Sequence, residues 1–176
     1  MDIQDIRSKM PDYAKDTKLN LGKYVSGDDV EGLTVNQAYG IALASAYTTK
    51  HAELIEAVLG QVSETLSAEE VEAAKAAATI MGMNNIYYRF VHLVSDKDYA
   101  TMPAGLRMNV IGKPGIDKID FELMSLAVSA INGCGICIDA HVHEVTKGGI
   151  SKQGVQSTIR IAAILNAAAQ ALIIGE

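Results

Sequence analysis

The stretch from Ser67 to Phe90, SAEEVEAAKAAATIMGMNNIYYRF, constrains the fold more than any other part of the chain. Ser67 and Glu70 stand in the Ser-x-x-Glu pattern, in which hydroxyl and carboxylate each take up a backbone N–H that the first turn of a helix leaves unpaired. Alanine dominates the residues that follow and loses no side-chain freedom on becoming helical. The spacing therefore predicts a helix that begins near Ala68 and runs towards Phe90.

Helical signals recur along the whole sequence, and strand signals are nearly absent. From Thr34 to about Leu59, Val35, Ala38, Tyr39, Ala42, Leu43 and Ala46 fall at helical spacing. A second amphipathic segment follows Lys50, so the region reads as two helices in a hairpin. Asp96 to Lys118 carries Pro103, Gly105, Gly112, Pro114 and Gly115 and is expected to be a connection with at most a short helical turn. Asp120 is expected to cap the next helix, FELMSLAVSAI, which Gly133 ends or bends. Another helix should start near Cys134 and stop at Gly148 and Gly149, and Ser151 should cap the last one, IRIAAILNAAAQAL. The reading is an all-α fold, with residues 1–176 forming a single domain. The 49% apolar content of the 176 residues suffices for its core.

Charge and hydropathy narrow the partners. A net charge of -6 offers no basic face for nucleic acid. The N-terminus, MDIQDIRSKM, has acids where a secretory signal would have its basic stretch. Asn166 and Gln170 interrupt the apolar C-terminal run, so no membrane-spanning segment is expected. The chain reads as cytoplasmic, where two cysteines three residues apart point to catalysis or metal binding more than to a permanent structural bridge.

Sliding the segment at Ala76 by 51 positions onto Ala127 pairs Ala76 with Ala127, Ile80 with Ile131, Gly82 with Gly133, Val91 with Val142 and His92 with His143. This suggests an internal helix-Gly-helix repeat; chance similarity between two Ala-rich helices is the competing reading. In the repeat, Cys134, Cys137 and His141 align with Met83, Ile86 and Phe90, which makes the first copy a packing version of the second.

Both cysteines lie in INGCGICIDAHVHEV. On a helix, Cys134, Cys137 and His141 are i, i+3 and i+7 and share one face, whereas Asp139 and His143 point away, to solvent contact or satisfied packing, and the pairing of His143 with His92 favours a structural role for His143. Cys134 would sit at the helix N-terminus, where unpaired N–H groups and the helix dipole favour a thiolate. Cys137 lies one turn before His141, which can take its proton or stabilise its anion. Such a pair can cycle between dithiol and disulfide. Glu122, on the preceding helix, has two readings: a helix-start charge complementing the dipole, or an inward carboxylate that holds or relays protons to His141. Zinc is the metal alternative for C-x-x-C-x-x-x-H-x-H, although His143 cannot face the other ligands on a regular helix.

The run KPGIDKIDFELMSLAVSAINGCGICIDAH, with GLRMNVI and IMGMNNIYYR before it, resembles the AhpD-type alkylhydroperoxidases of the carboxymuconolactone decarboxylase-like superfamily. PDYAKDTKLNL and AAILNAAAQAL extend the resemblance over nearly the whole chain. It implies a homotrimeric, all-helical thiol peroxidase without a cofactor. Cys137 would be the peroxidatic residue that becomes a sulfenic acid. Cys134 would be the resolving residue and proton donor, exposed enough to form mixed disulfides. Glu122 and His141 would be the proton relay. The resemblance also implies an alkyl hydroperoxide substrate, a dihydrolipoyl donor carried by an acyltransferase, and transfer of electrons to a peroxiredoxin. Members of that family can carry a histidine directly before the second cysteine; this chain has Ile136 there. The competing functions are a dithiol-disulfide reductase without peroxidase activity, a zinc-stabilised structural protein, and a ring-opening decarboxylase.

Overall fold

Capping side chains set where most of the helices begin. The computed structural model describes residues 1–26 and 29–175, and among these it contains helices and short turns but no strand. Helix α1 (Ile3–Lys9) starts at a reciprocal pair of bonds: Asp5 N–H donates to Asp2 Oδ1 at 2.9 Å and Asp2 N–H to Asp5 Oδ2 at 3.0 Å. A 3-10 turn at Asp12–Ala14 leads into α2 (Lys15–Tyr24). These N-terminal helices were not anticipated, although the Asp-x-x-Asp spacing that starts the first is visible in the sequence.

The expected hairpin is present as α3 (Val35–Thr49), capped by Thr34, and α4 (Ala52–Val62), capped by His51. Helix α5 (Ala68–Leu93) begins where the Ser67–Glu70 pattern placed it. Glu70 N–H donates to Ser67 Oγ at 3.2 Å, and Ser67 N–H to the Glu70 carboxylate at 2.7 Å. The connection after it holds two short turns, a 3-10 turn at Lys97–Ala100 and α6 (Asn109–Gly112). Then come α7 (Lys118–Asn132), α8 (Gly135–Lys147) and α9 (Lys152–Ile174), the last capped by Ser151 as expected.

Helix α7 is the centre of the packing. It lies against α3, α5, α8 and α9, and its residues from Phe121 to Ser129 are all buried. Phe121, Leu123, Leu126 and Val128 join Ile41 and Leu43 of α3 and Ile161 and Leu165 of α9 in one core. Each such side chain contributes about 1.5–3 kcal/mol of transfer free energy. Helix α9 is long and apolar enough, by length and composition alone, to cross a membrane, despite Asn166 and Gln170. In this fold it packs on α2, α3 and α7 and buries a stripe that includes Ile161, Ala162, Leu165 and Ala168.

Three expectations need correction. Asp117, not Asp120, caps α7: its Oδ1 accepts from Ile119 N–H at 2.8 Å. Asp120 lies inside the first turn and accepts instead from the Gln37 side chain of α3, also at 2.8 Å. The helix-Gly-helix pattern exists only in the second copy of the repeat, because α5 runs unbroken through Gly82 whereas Gly133 takes a left-handed conformation with φ 70°. Nor does the first copy pack, since Ile86 and Phe90, the counterparts of Cys137 and His141, are exposed.

Candidate active site

The site is made by a reversal of the chain. At the end of α7, Gly133 N–H donates to Ala130 C=O at 3.2 Å and Cys134 N–H reaches back five residues to Ser129 C=O at 3.1 Å. This pair of bonds closes a helix through a left-handed residue, a conformation that costs a residue with a Cβ about 1–2 kcal/mol. Helix α8 then folds back along α7. Lys118 Nζ near the start of α7 lies 3.3 Å from Glu144 Oε2 near the end of α8. Gly148, just beyond α8, sits so close to the Ile119 side chain that any Cβ there would collide with it.

The hairpin brings Glu122, in the second turn of α7, beside His141 of α8. His141 Nδ1 lies 2.6 Å from Glu122 Oε2, with the two residues 8% and 4% exposed. A carboxylate buried without a partner would cost several kcal/mol, and the imidazole supplies that partner. Because the carboxylate engages Nδ1, Nε2 is the ring nitrogen left to other groups, as in sites where a base is held by a third residue. Glu122 thus turns inward onto His141 and does not stand as an exposed charge at the helix start.

Cys134 is the residue that caps α8, and its carbonyl accepts from Ile138 N–H at 2.9 Å. Its side chain is joined to Cys137 as a disulfide, with Cα atoms 5.3 Å apart. Asp139 and His143 point away from the cysteines and are exposed, so of solvent contact and packing it is solvent contact that the fold gives them. Cys134, by contrast, departs from its expected exposure. It is 0% exposed and Cys137 is 8% exposed, because the Gly133 turn tucks Cys134 under the helix it starts. In the oxidised chain, Cys137 is therefore the sulfur within reach of another molecule.

A cavity of about 220 Å³ opens at that sulfur, lined by Met81, Asn84, Tyr88, Ile111, Ile136, Cys137, Ala140 and His141. A larger cavity of about 680 Å³ lies along the neighbouring face of α5, at Tyr47, Lys50, Lys75 and Arg89, and contains neither sulfur. The smaller one is the cavity bordered by both Cys137 and His141. No group of three or more His, Cys, Asp or Glu side chains that could hold a metal ion occurs among the described residues.

Sequence reasoning missed the polar contacts that α5 makes with this hairpin. Asn85 Nδ2 donates to Ser129 Oγ at 2.9 Å, Asn132 Nδ2 to Asn85 Oδ1 at 3.0 Å, and Arg89 Nη1 to Asn132 C=O at 2.5 Å. Together they clamp the last turn of α7, directly before Gly133. The available signal was the Asn-Asn pair inside an Ala-rich helix, where buried amides must find partners.

Fold and site together define a class: an all-helical protein in which a disulfide-joined Cys-x-x-Cys pair lies on the same helix hairpin as a buried imidazole–carboxylate pair. Residues 97–174 match the carboxymuconolactone decarboxylase family. The chain is 55% identical over 172 residues to the alkyl hydroperoxide reductase AhpD of Coxiella burnetii (strain RSA 493 / Nine Mile phase I), spanning 98% of this chain and 97% of that protein. It is 53% identical, with the same coverage, to the alkyl hydroperoxide reductase AhpD of Brucella abortus (strain 2308). The corresponding figure for AhpD of Brucella melitensis biotype 1 is 52%. The chain belongs to the AhpD family of alkyl hydroperoxide reductases.

Proposed function

We propose that the chain reduces alkyl hydroperoxides through Cys134 and Cys137 alone, without a bound cofactor, and that a dihydrolipoyl group on an acyltransferase returns the disulfide to the dithiol. Membership of the family makes it a peroxide-reducing oxidoreductase. The observation that carries the proposal is the buried His141–Glu122 pair at 2.6 Å beside the cavity that holds Cys137.

In the proposed cycle, His141, oriented by Glu122, takes the Cys137 proton. The Cys137 thiolate attacks the terminal oxygen of the hydroperoxide and the O–O bond breaks. This leaves a sulfenic acid on Cys137 and an alkoxide, which takes a proton from Cys134 and departs as the alcohol. The Cys134 thiolate then attacks the Cys137 sulfur, forming the disulfide and releasing the hydroxyl as water with a proton from His141. An external dithiol attacks Cys137, which is the accessible sulfur, and two thiol exchanges restore the reduced enzyme. Passage of electrons onward to a peroxiredoxin would use that same sulfur.

The test is Cys134→Ser treated with one equivalent of hydroperoxide and a sulfenic-specific reagent. Label on Cys137 is expected, and Cys137→Ser should consume no peroxide. Label on Cys134 in the converse variant, with none on Cys137, would reverse the assignment. If the wild type shows no turnover although its disulfide cycles normally, the chain is a dithiol-disulfide reductase instead.

We further propose one domain acting in a homotrimer in the reducing cytoplasm. Support for the assembly comes from Ile86, Phe90 and Leu93, which form an exposed apolar stripe at i, i+4 and i+7 on α5. Sedimentation at the mass of three chains is expected, and a monomer at micromolar concentration would contradict it.

A further inference from the structure

Asn84 is buried, 5% exposed, in the wall of the cavity that holds Cys137 and His141. Its Nδ2 donates to Met108 Sδ at 3.4 Å, a weak bond that ties α5 to the residue before α6. Its Oδ1 has no hydrogen-bond partner among the described residues. A buried amide oxygen without a donor costs about 1–3 kcal/mol, so its persistence beside reactive groups calls for a reason. Ser45 Oγ and Ser125 Oγ share this state but line no cavity at the sulfurs. Around Asn84 the wall is apolar: Met81 and Tyr88 from α5, Ile111 from α6, and Ile136 at the exposed rim between the cysteines.

We propose that Asn84 is a substrate-contacting residue whose amide oxygen accepts the O–H of the hydroperoxide, while Ile136, Ile111, Tyr88 and Met81 seat its organic group. The inference rests on the peroxidase reading and deepens it by naming the features that select the substrate. A hydroperoxide carries one O–H donor, on the terminal oxygen that the thiolate attacks. That O–H bond survives the reaction, since the hydroxyl moves intact from the substrate to Cys137 as the sulfenic acid. An acceptor fixed in the wall can therefore hold the same hydrogen before and after O–O cleavage. It orients the O–O bond for attack from sulfur, with the alkoxide leaving on the side opposite the sulfur. Hydrogen peroxide can make the Asn84 contact but has nothing to place against the apolar wall. The site is thus built for hydroperoxides with a compact apolar substituent, and Ile136 makes its rim apolar where a histidine would make it polar.

The test uses the full-length reduced protein and compares single-turnover rates with cumene hydroperoxide, tert-butyl hydroperoxide and hydrogen peroxide. Alkylation of Cys137 by iodoacetamide across pH is followed alongside, because it reports thiol activation and does not require a bound hydroperoxide. Asn84→Ala is expected to slow all three peroxides by about 10- to 100-fold, the effect of removing one substrate hydrogen bond. The alkylation profile should not move. Asn84→Leu, which keeps the volume, should behave alike and covers the case that the alanine variant folds poorly. Ile136→His should cut the ratio of the cumene hydroperoxide rate to the hydrogen peroxide rate by about tenfold, the scale of a lost apolar contact.

Peroxide rates unchanged in both Asn84 variants would overturn the contact, and so would alkylation falling in step with peroxide reduction. An unchanged preference in Ile136→His would overturn the apolar seat. A wild-type protein inert to all three peroxides would remove the peroxidase reading itself, which separates that failure from a failure of Asn84 alone.

Discussion

At the scale of single residues, the proposed chemistry depends on where one carboxylate ends up. Cys134, Cys137 and His141 were legible in the sequence because a helix converts spacings of three and seven into a common face. Glu122 was not, because its position on α7 is compatible both with a charge at a helix start and with a partner for His141. What decides between them is the Gly133 reversal, which lays α8 back on α7 and puts His141 Nδ1 2.6 Å from Glu122 Oε2. Asn84 was still less legible, since a lone amide follows no spacing rule and its role depends on which cavity it lines. Glu122→Gln keeps the shape of the side chain and removes its charge. It should slow the reaction of Cys137 with hydroperoxide on the order of 100-fold, the usual size of a proton-transfer contribution. Single-turnover rates measured across pH check this, and rates equal to wild type throughout would leave Glu122 a structural partner of His141 with no part in proton transfer.

At the scale of elements, caps were the most readable features, and the one expected in the wrong place shows why. Asp117 and Asp120 both precede the apolar run of α7, and either could cap it by sequence. Only the fold shows that Gln37 of α3 occupies Asp120, leaving Asp117 to take the backbone N–H. The displaced carboxylate leaves a measurable trace. Burial pushes the Asp120 carboxyl above the usual aspartate range; the Gln37 bond opposes the rise, and Asp117 and Glu70 add to it. An acid raised in this way favours the folded state when protonated. Its contribution is present below the ordinary aspartate value of about 3.9 and is lost as pH rises through the raised value. Asp120→Asn keeps the bond from Gln37 but does not ionise. The variant should melt close to wild type at pH 3 and above it at pH 7. Melting below wild type at pH 7, with parity at pH 3, would contradict the account.

The same scale explains the failed half of the repeat. Gly82 and Gly133 align in sequence, yet an added Cβ at Gly82 would meet nothing and its backbone stays helical. A glycine permits a left-handed turn without imposing one. The outcome depends on the flanking segments, and those around Gly82 continue α5 without a break.

At the scale of the whole molecule, the all-α class was legible because helical periodicity and caps agree along the chain and almost nothing argues for strands. The burial of Cys134 was not, since it arises from how α7, α8 and α5 close around one turn, with Asn85 and Arg89 holding the end of α7. That closure leaves Cys137 as the more exposed sulfur, and in the proposed cycle one cavity serves substrate and reductant in turn. The claim on which all of this rests is that the two cysteines exchange two electrons with a hydroperoxide and need nothing else. Its most direct test is to reduce the protein anaerobically, remove the reductant, add one equivalent of an organic hydroperoxide, and determine thiols, alcohol and protein mass. The account predicts one equivalent of alcohol, loss of both thiols, and a mass lower by two hydrogens in the peptide that spans Cys134 and Cys137. Hydroperoxide left unconsumed with both thiols intact would contradict it.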